Sequence, residues 1–205
     1  MVYFPFRQPV LRAGGSAGET AEPSPNKSDA KIASCQFVSV AAGFPIEKII
    51  VFSHRMENKT DRADDLRYMQ EALKEAHRAL EREEVPVGAV VVCGGRIIAR
   101  AHNLTEALND PTAHAEMQAI TMAAGYLGGK YLNDCTLYVT VEPCPMCAGA
   151  LNWAQTGRIV YGADDPRRGY SLFGPSLLHP RTEVTAGVLK EECGRLMVEF
   201  FKNRR

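Results

Sequence analysis

The chain has 205 residues, 45% of them hydrophobic and 23% charged, the composition of an ordinary soluble globular protein with enough length for one full hydrophobic core. Its 24 basic residues balance 24 acidic ones, so bulk charge predicts neither nucleic-acid nor membrane affinity, and any polyanion site must be a local patch. The 6 cysteines follow no dense disulfide pattern, and no apolar segment approaches the roughly 20 residues needed to cross a bilayer. Pro5 and Pro9 break the start, MVYFPFRQPVLR, where a secretory signal needs a continuous apolar run, so a cytoplasmic protein is expected.

Residues 13–30, AGGSAGETAEPSPNKSDA, hold too little apolar surface to offset the entropy of ordering them, which predicts disorder. The next stretch, SCQFVSVAAGFPIEKIIVF, has apolar runs but is broken by Gly43 and Pro45, and no sheet is assigned to it. Residues 1–58 are therefore expected to be a disordered or non-native N-terminal extension, with the functional domain at 59–205 and Met56 a candidate translational start. From about residue 60, Leu66, Met69, Leu73, Ala76 and Leu80 recur at spacings of three and four, the stripe of an amphipathic helix that Asp61 or Asp64 could cap. In VGAVVVCGGRIIARAH two β-branched runs flank Gly94-Gly95, a pair suited to a tight hairpin turn. A helix is expected from about Thr112 to Ala124, a strand in CTLYVTV at 135–141, a helix in PMCAGALNWAQ and a strand in RIVYGA. A last helix begins near Leu189 and carries Cys193, Leu196, Met197 and Phe200 on one face. This alternation implies a sheet covered on both faces with at least one parallel crossover.

Two stretches carry chemistry. DPTAHAEMQAI sets His114 two residues before Glu116 where a helix begins, and VTVEPCPMCAG sets Cys144 and Cys147 as a C-x-x-C at a strand-to-helix junction. Thiolates at such a junction are favoured by free backbone N–H groups and the helix dipole. Three readings are open. A dithiol redox motif uses the cysteines but leaves His114 and Glu116 without a part. A structural zinc site needs a fourth protein ligand, which Cys93, Cys135 or Cys193 could supply, although those three fit turn or buried positions. A catalytic zinc site needs only His114, Cys144 and Cys147, leaves one position for water, and makes Glu116 a nearby proton acceptor. The 30-residue separation of His114 from Cys144 holds one helix and one strand, enough to bring the two helix starts side by side.

HAE at 114–116 with PCPMC at 143–147 matches H-x-E…P-C-x-x-C, the known signature of zinc-dependent nucleobase deaminases. Within that group, EVPVGAVVV, DPTAHAEMQAI, LYVTVEPCPMCAGAL, RIVYGADD and EFFKNRR resemble the bacterial tRNA-specific adenosine deaminases over roughly residues 60–205. The resemblance implies a three-layer α/β/α cytidine-deaminase-like fold with a mixed, about five-stranded central sheet. It implies hydrolysis of adenosine to inosine at the wobble position of a tRNA anticodon by zinc-activated water, with one Zn2+ per subunit held by His114, Cys144 and Cys147 and with Glu116 as the proton shuttle. It also implies substrate contacts from Asn103, Val85, Ala115, Pro143 and Asp165, a tRNA anticodon stem-loop as partner, and a homodimer. The apolar face of AGALNWAQTGRIV, including Trp153, could supply interface area, although core packing is the safer reading of that face. Arg167, Arg168, Lys202, Arg204 and Arg205 could form the phosphate-binding patch that a neutral protein needs. The loop FGPSLLHPRTEV is shorter than the family pattern after His179-Pro180 and lacks an expected asparagine. Two rivals remain: a deaminase of a free base or nucleoside, of guanine or cytosine type, on the same metal site, and a zinc-stabilised RNA-binding module with a fourth protein ligand.

Overall fold

A computed structural model of the chain describes residues 46–202 and 204, with side chains from Arg62 onward. The expectations for residues 13–30, for the apolar runs before Pro45 and for Arg205 fall outside the described residues. The first helix, α1 (Ile46–Glu81), begins well before the start expected near residue 60. No Gly or Pro lies between 46 and 81, so nothing in the backbone chemistry stops the helix from running through Asp61 and Asp64, and neither is a cap. Asp64 instead pairs on the exposed side with Arg67 at 3.2 Å, one turn away.

The buried face of α1 is also rotated from the expected stripe. Met69 and Ala76 are buried as expected, but Leu66 and Leu80 are each 38% exposed, and Asp65, Tyr68, Ala72, Glu75 and Ala79 complete the inward face. Small side chains decide this, because they let the helix backbone settle directly on the sheet. A Cβ added to Gly88 would lie 2.1 Å from the Ala72 carbonyl oxygen and 2.3 Å from the Ala76 nitrogen, a contact that only glycine avoids. Gly88→Ala is therefore expected to force α1 off the sheet and cost about 3 kcal/mol, read as a lower midpoint in denaturant titration; an unchanged midpoint would refute the close approach. Asp65 is tolerated inside because Arg158 grips it through both oxygens at 2.7 and 2.8 Å and Tyr138 donates its hydroxyl at 2.9 Å.

β1 (Gly88–Cys93) and β2 (Arg96–His102) form the expected hairpin, with Gly94 and Gly95 at φ of 55° and 73° in the turn. β3 (Cys135–Val141), β4 (Arg158–Ala163) and β5 (Glu183–Ala186) complete a mixed sheet in the order β2-β1-β3-β4-β5. The β1 pairings are antiparallel and those of β3 with β4 and β4 with β5 are parallel. β5 lies in the segment read from sequence as a loop after His179. It is short and mostly exposed at the sheet edge, so it has no buried alternation to reveal it.

Side chains alternate across the sheet as the pleat requires. Ala89, Val91, Leu137, Val139 and Ile159 face α2 (Ala115–Leu127) and α3 (Pro145–Trp153), whereas Val90, Val92, Tyr138 and Val160 face α1 and α4 (Lys190–Lys202). Cys193 and Phe200 are the buried residues of α4, with Leu196 and Met197 half-buried. The result is the expected three-layer α/β/α architecture. Because β2 and β3 both run antiparallel to β1, they point the same way, and the helices that follow them, α2 and α3, begin at the same end of the sheet. That common origin positions the site.

Candidate active site

His114 is the N-cap of α2, not a residue inside its first turn. Asp110 holds the chain back: its Oδ1 accepts the Thr112 N–H at 2.8 Å and hydroxyl at 2.7 Å, and its carbonyl accepts the Ala113 N–H at 3.1 Å. The helix expected from Thr112 therefore starts at Ala115, with His114 extended at φ −66° and ψ 155°. Cys144 is the matching N-cap of α3, at φ −73° and ψ 168°, with Pro145 in the first helical position, where its missing N–H costs nothing. Cys147 follows one turn later and is fully buried.

The two caps bring their side chains together. His114 Nδ1 is 3.7 Å from Cys144 Sγ and 3.5 Å from Cys147 Sγ, and the three ligand atoms lie within 4.8 Å of one another. Tetrahedral zinc, bound at about 2.3 Å to sulfur and about 2.0–2.1 Å to nitrogen, separates such a nitrogen and sulfur by roughly 3.6 Å. The donor set therefore fits zinc in both chemistry and spacing. The other described cysteines lie elsewhere: Cys93 and Cys135 face each other across β1 and β3, and Cys193 packs on Gly162 on the α4 side of the sheet. The described group thus holds three protein ligands, as a catalytic zinc site does.

Charge at the site is set by these close contacts. Hydrogen bonding from Cys147 pushes the Cys144 thiol down to about 4, with His114 acting in the same direction. The same contact with Cys144, together with burial, pushes Cys147 up, and the bond to Cys144 raises His114 while the Arg168 guanidinium opposes its protonation. A divalent cation bound here would resolve this competition, since both thiolates and a neutral imidazole could ligate it. Glu116, 4% exposed in the first turn of α2, is pushed up to about 7 by burial first of all.

The expected substrate residues differ in burial and in the partners they hold. Ala115 is buried in the first helical position, where its N–H has no partner within the helix. Val85 is half-buried, and its carbonyl accepts the Val87 N–H at 2.7 Å. Asn103 is buried after β2, and the neighbouring Leu104 N–H bonds the Ala113 carbonyl at 3.0 Å, which ties that loop to the residue before His114. Pro143 directs its carbonyl to the Tyr170 N–H at 2.9 Å. Asp165 spends Oδ1 on the Arg167 and Arg168 N–H groups, each at 3.0 Å, which makes it a turn former in the loop after β4. Of the expected phosphate patch, Arg167, Arg168 and Lys202 are exposed, and Arg204 stacks over the Phe200 ring at 4.4 Å.

Two buried carboxylates around the site had no motif to announce them. Glu142, next to Pro143, accepts the Asp165 and Ser171 N–H groups, each at 3.0 Å, and so fastens the loop after β4 to the cysteine turn. Gly169 closes over it, since a Cβ there would come within 2.3 Å of Oε2. Glu84, fully buried, does the same for the loop after β2. The only sequence signal was a Glu beside an apolar string in each case.

Comparison with known proteins decides the family. The cytidine and deoxycytidylate deaminase zinc-binding region matches residues 62–163. The tRNA-specific adenosine deaminase of Bacillus subtilis is 49% identical over 143 residues, which span 67% of this chain and 89% of that one. This chain belongs to the tRNA-specific adenosine deaminase family. A tRNA-specific adenosine deaminase of Agrobacterium fabrum is 43% identical over 148 residues, spanning 70% of this chain and 97% of its own. A structure solved in a study of A-to-I editing by tRNA:A34 deaminases at the wobble position of transfer RNA superimposes with a TM-score of 0.60 at 44% identity, covering 63% of this chain and 98% of that one. As a member of this zinc-dependent deaminase family the chain is a zinc enzyme, and His114, Cys144 and Cys147 are the cluster that fits the ion.

Proposed function

We infer that this chain hydrolyses adenosine to inosine at the wobble position of a tRNA anticodon, with His114, Cys144 and Cys147 as zinc ligands, Glu116 as the proton carrier, and residues 59–205 as the catalytic domain. The observation that carries the site assignment is the convergence of two helix N-caps, which places an imidazole 3.5 and 3.7 Å from two thiols with a buried carboxylate two residues away. Bound zinc would supply acidification of water, whose pKa falls to about 7 in such sites. Glu116 would carry two protons in turn, one from the attacking water to the purine ring nitrogen and a second from the hydroxyl so added to the departing amine, within a buried environment that excludes bulk water. The unpartnered Ala115 N–H at the start of α2 is a donor for the base, Asn103 and Val85 line its edge and face, and the Pro143 carbonyl keeps a second lone pair for it. The loop Asp165–Ser171, held by Glu142, carries Arg167 and Arg168 toward the phosphates.

The reading is tested by incubating the purified protein with an anticodon stem-loop carrying adenosine at the first anticodon position, beside free adenosine, cytosine and guanine. Inosine in the stem-loop alone is expected; turnover of a free base alone would replace this reading with the free-base deaminase. In this reading the protein works in the cytoplasm, on tRNA; among the described residues no helix is long and apolar enough to cross a membrane.

The working unit in this reading is a homodimer. Trp153 at the end of α3 is 86% exposed, and Leu172 and Phe173, in the 3₁₀ turn Tyr170–Phe173 that packs against α3, are exposed as well. Apolar area of this kind is what a second copy would cover. Trp153→Glu is expected to shift the mass measured by size-exclusion light scattering from dimer to monomer at micromolar concentration, and a retained dimer would remove Trp153 from the interface.

A further inference from the structure

Two thiols outside the metal cluster stand opposite each other in the sheet. Cys93 closes β1, Cys135 opens β3, and the two are register partners in that antiparallel pair. Both lie on the α2 and α3 face, where Cys135 belongs to the core and the half-buried Cys93 packs against it. Their backbones do not bond each other. The Cys135 N–H donates to the Leu132 carbonyl at 3.0 Å, and Cys93, paired with Arg96 at the two-residue turn, directs its own N–H and C=O toward β2. Theirs is therefore a non-hydrogen-bonded pair, the kind in which Cα atoms stand about 4.5 Å apart and side chains lie closest. A disulfide spans Cα separations of about 4.4–6.8 Å, so the strands need not move for these two sulfurs to join.

The two cysteines differ in what they can meet. Cys135 is 2% exposed, and burial first and the Cys93 thiol next push its own thiol up to about 12. Cys93 is the thiol that solvent reaches, so it reacts first and Cys135 second. Position also separates the pair from the metal cluster. Cys144 and Cys147 follow the other end of β3, whose 7 residues span roughly 20 Å.

We propose that Cys93 and Cys135 form a redox modification site, which a low-molecular-weight disulfide converts to a reversible cross-strand disulfide that staples the β1–β2 hairpin to β3. The inference goes beyond deamination and does not depend on the substrate. Cys93, as its thiolate, attacks one sulfur of the small disulfide, forming a mixed disulfide and releasing one small thiol. Cys135 then gives up its proton, attacks the Cys93 sulfur and expels the second small thiol. One S–S bond forms in the protein as one breaks in the oxidant, and two electrons pass from the cysteines to the oxidant. In a reducing cytoplasm such a bond is transient, which suits a response to oxidant.

The test treats the zinc-loaded full chain with excess oxidised glutathione and maps its disulfides by mass spectrometry after non-reducing digestion. A loss of about 2 Da and a linked peptide pair joining Cys93 to Cys135 are expected, with zinc content unchanged and the bond reopened by dithiothreitol. Cys135→Ala is expected to stop at one glutathione on Cys93, and Cys93→Ser to leave Cys135 unmodified. Because the link closes a loop of about 40 residues between strands that need not move, the melting temperature is expected to rise by about 5–10 °C. In the wild type, Cys93 left as a free thiol or a persistent mixed disulfide, or linked to any cysteine other than Cys135, would overturn the proposal. A melting temperature that failed to rise would do the same, since the strands would then have to distort to join. Zinc loss would make the metal thiols the reactive ones and would also refute it. Should Cys135→Ala fail to fold, the wild-type peptide map and Cys93→Ser, a change at a half-buried position beside a turn, still decide the matter.

Discussion

Glu116→Gln is expected to lower deamination on the order of 10³-fold while the protein keeps its zinc and its fold. The substitution preserves size and shape in a side chain that is 4% exposed, so packing of the first turn of α2 is little disturbed. What it removes is the ability to accept and return a proton, because a carboxamide is neither basic nor acidic at working pH. Removing a buried negative charge also relieves a desolvation cost, so thermal stability is expected to hold or rise slightly. Metal analysis, a thermal melt and single-turnover inosine formation check the three statements together. Retained turnover would mean that another group carries the proton and would defeat the proposed role of Glu116.

Cys147→Ala has the opposite signature. Cys147 is fully buried and contributes one of the two thiols within reach of His114 Nδ1, so its loss leaves one sulfur and one nitrogen, too few to hold zinc against dilution. Zinc content is expected to fall from one per chain to near zero, activity to vanish with it, and the melting temperature to drop because metal binding stabilises the folded state. Cys193→Ala is the matched control. It also deletes a buried sulfur, but on the far side of the sheet against Gly162, and is expected to keep full zinc at a stability cost of about 1 kcal/mol. If Cys147→Ala retained its metal, the ligand set would be wrong, and a loss of zinc from Cys193→Ala would show that the metal content reports general destabilisation.

The rotation of α1 shows where pattern reading is misled. Leu66 and Leu80 sit at ideal spacings yet are 38% exposed, while Asp65 and Glu75 turn inward. A hydrophobic pattern counts side chains one by one. The helix instead settled where its alanines could meet Gly88, and Asp65 became tolerable inside only because Arg158 and Tyr138 arrive from β4 and β3. β5 is the same lesson at the sheet edge, where four residues paired on one side have no alternation of burial to reveal them.

The site divides along a similar line. His114, Glu116, Cys144 and Cys147 were legible because metal chemistry demands particular residue types at short spacings, and those spacings are local properties of the chain. The hairpin at Gly94-Gly95 and the strands in VVV and CTLYVTV were legible for the same reason, since turn geometry and pleat period act over a few residues. The sequence therefore determined the candidate metal cluster and most of the elements. Only the folded chain decided that α2 and α3 begin at one end of the sheet, which turns two separate motifs into one cluster whose sulfurs lie 3.5 and 3.7 Å from the imidazole nitrogen. Only the folded chain, too, revealed Glu84 and Glu142, whose partners lie between 19 and 29 residues away and which act by holding loops. A carboxylate that bonds backbone N–H groups across such distances needs no particular neighbours in sequence, so its role becomes visible only once the chain has brought those partners to it.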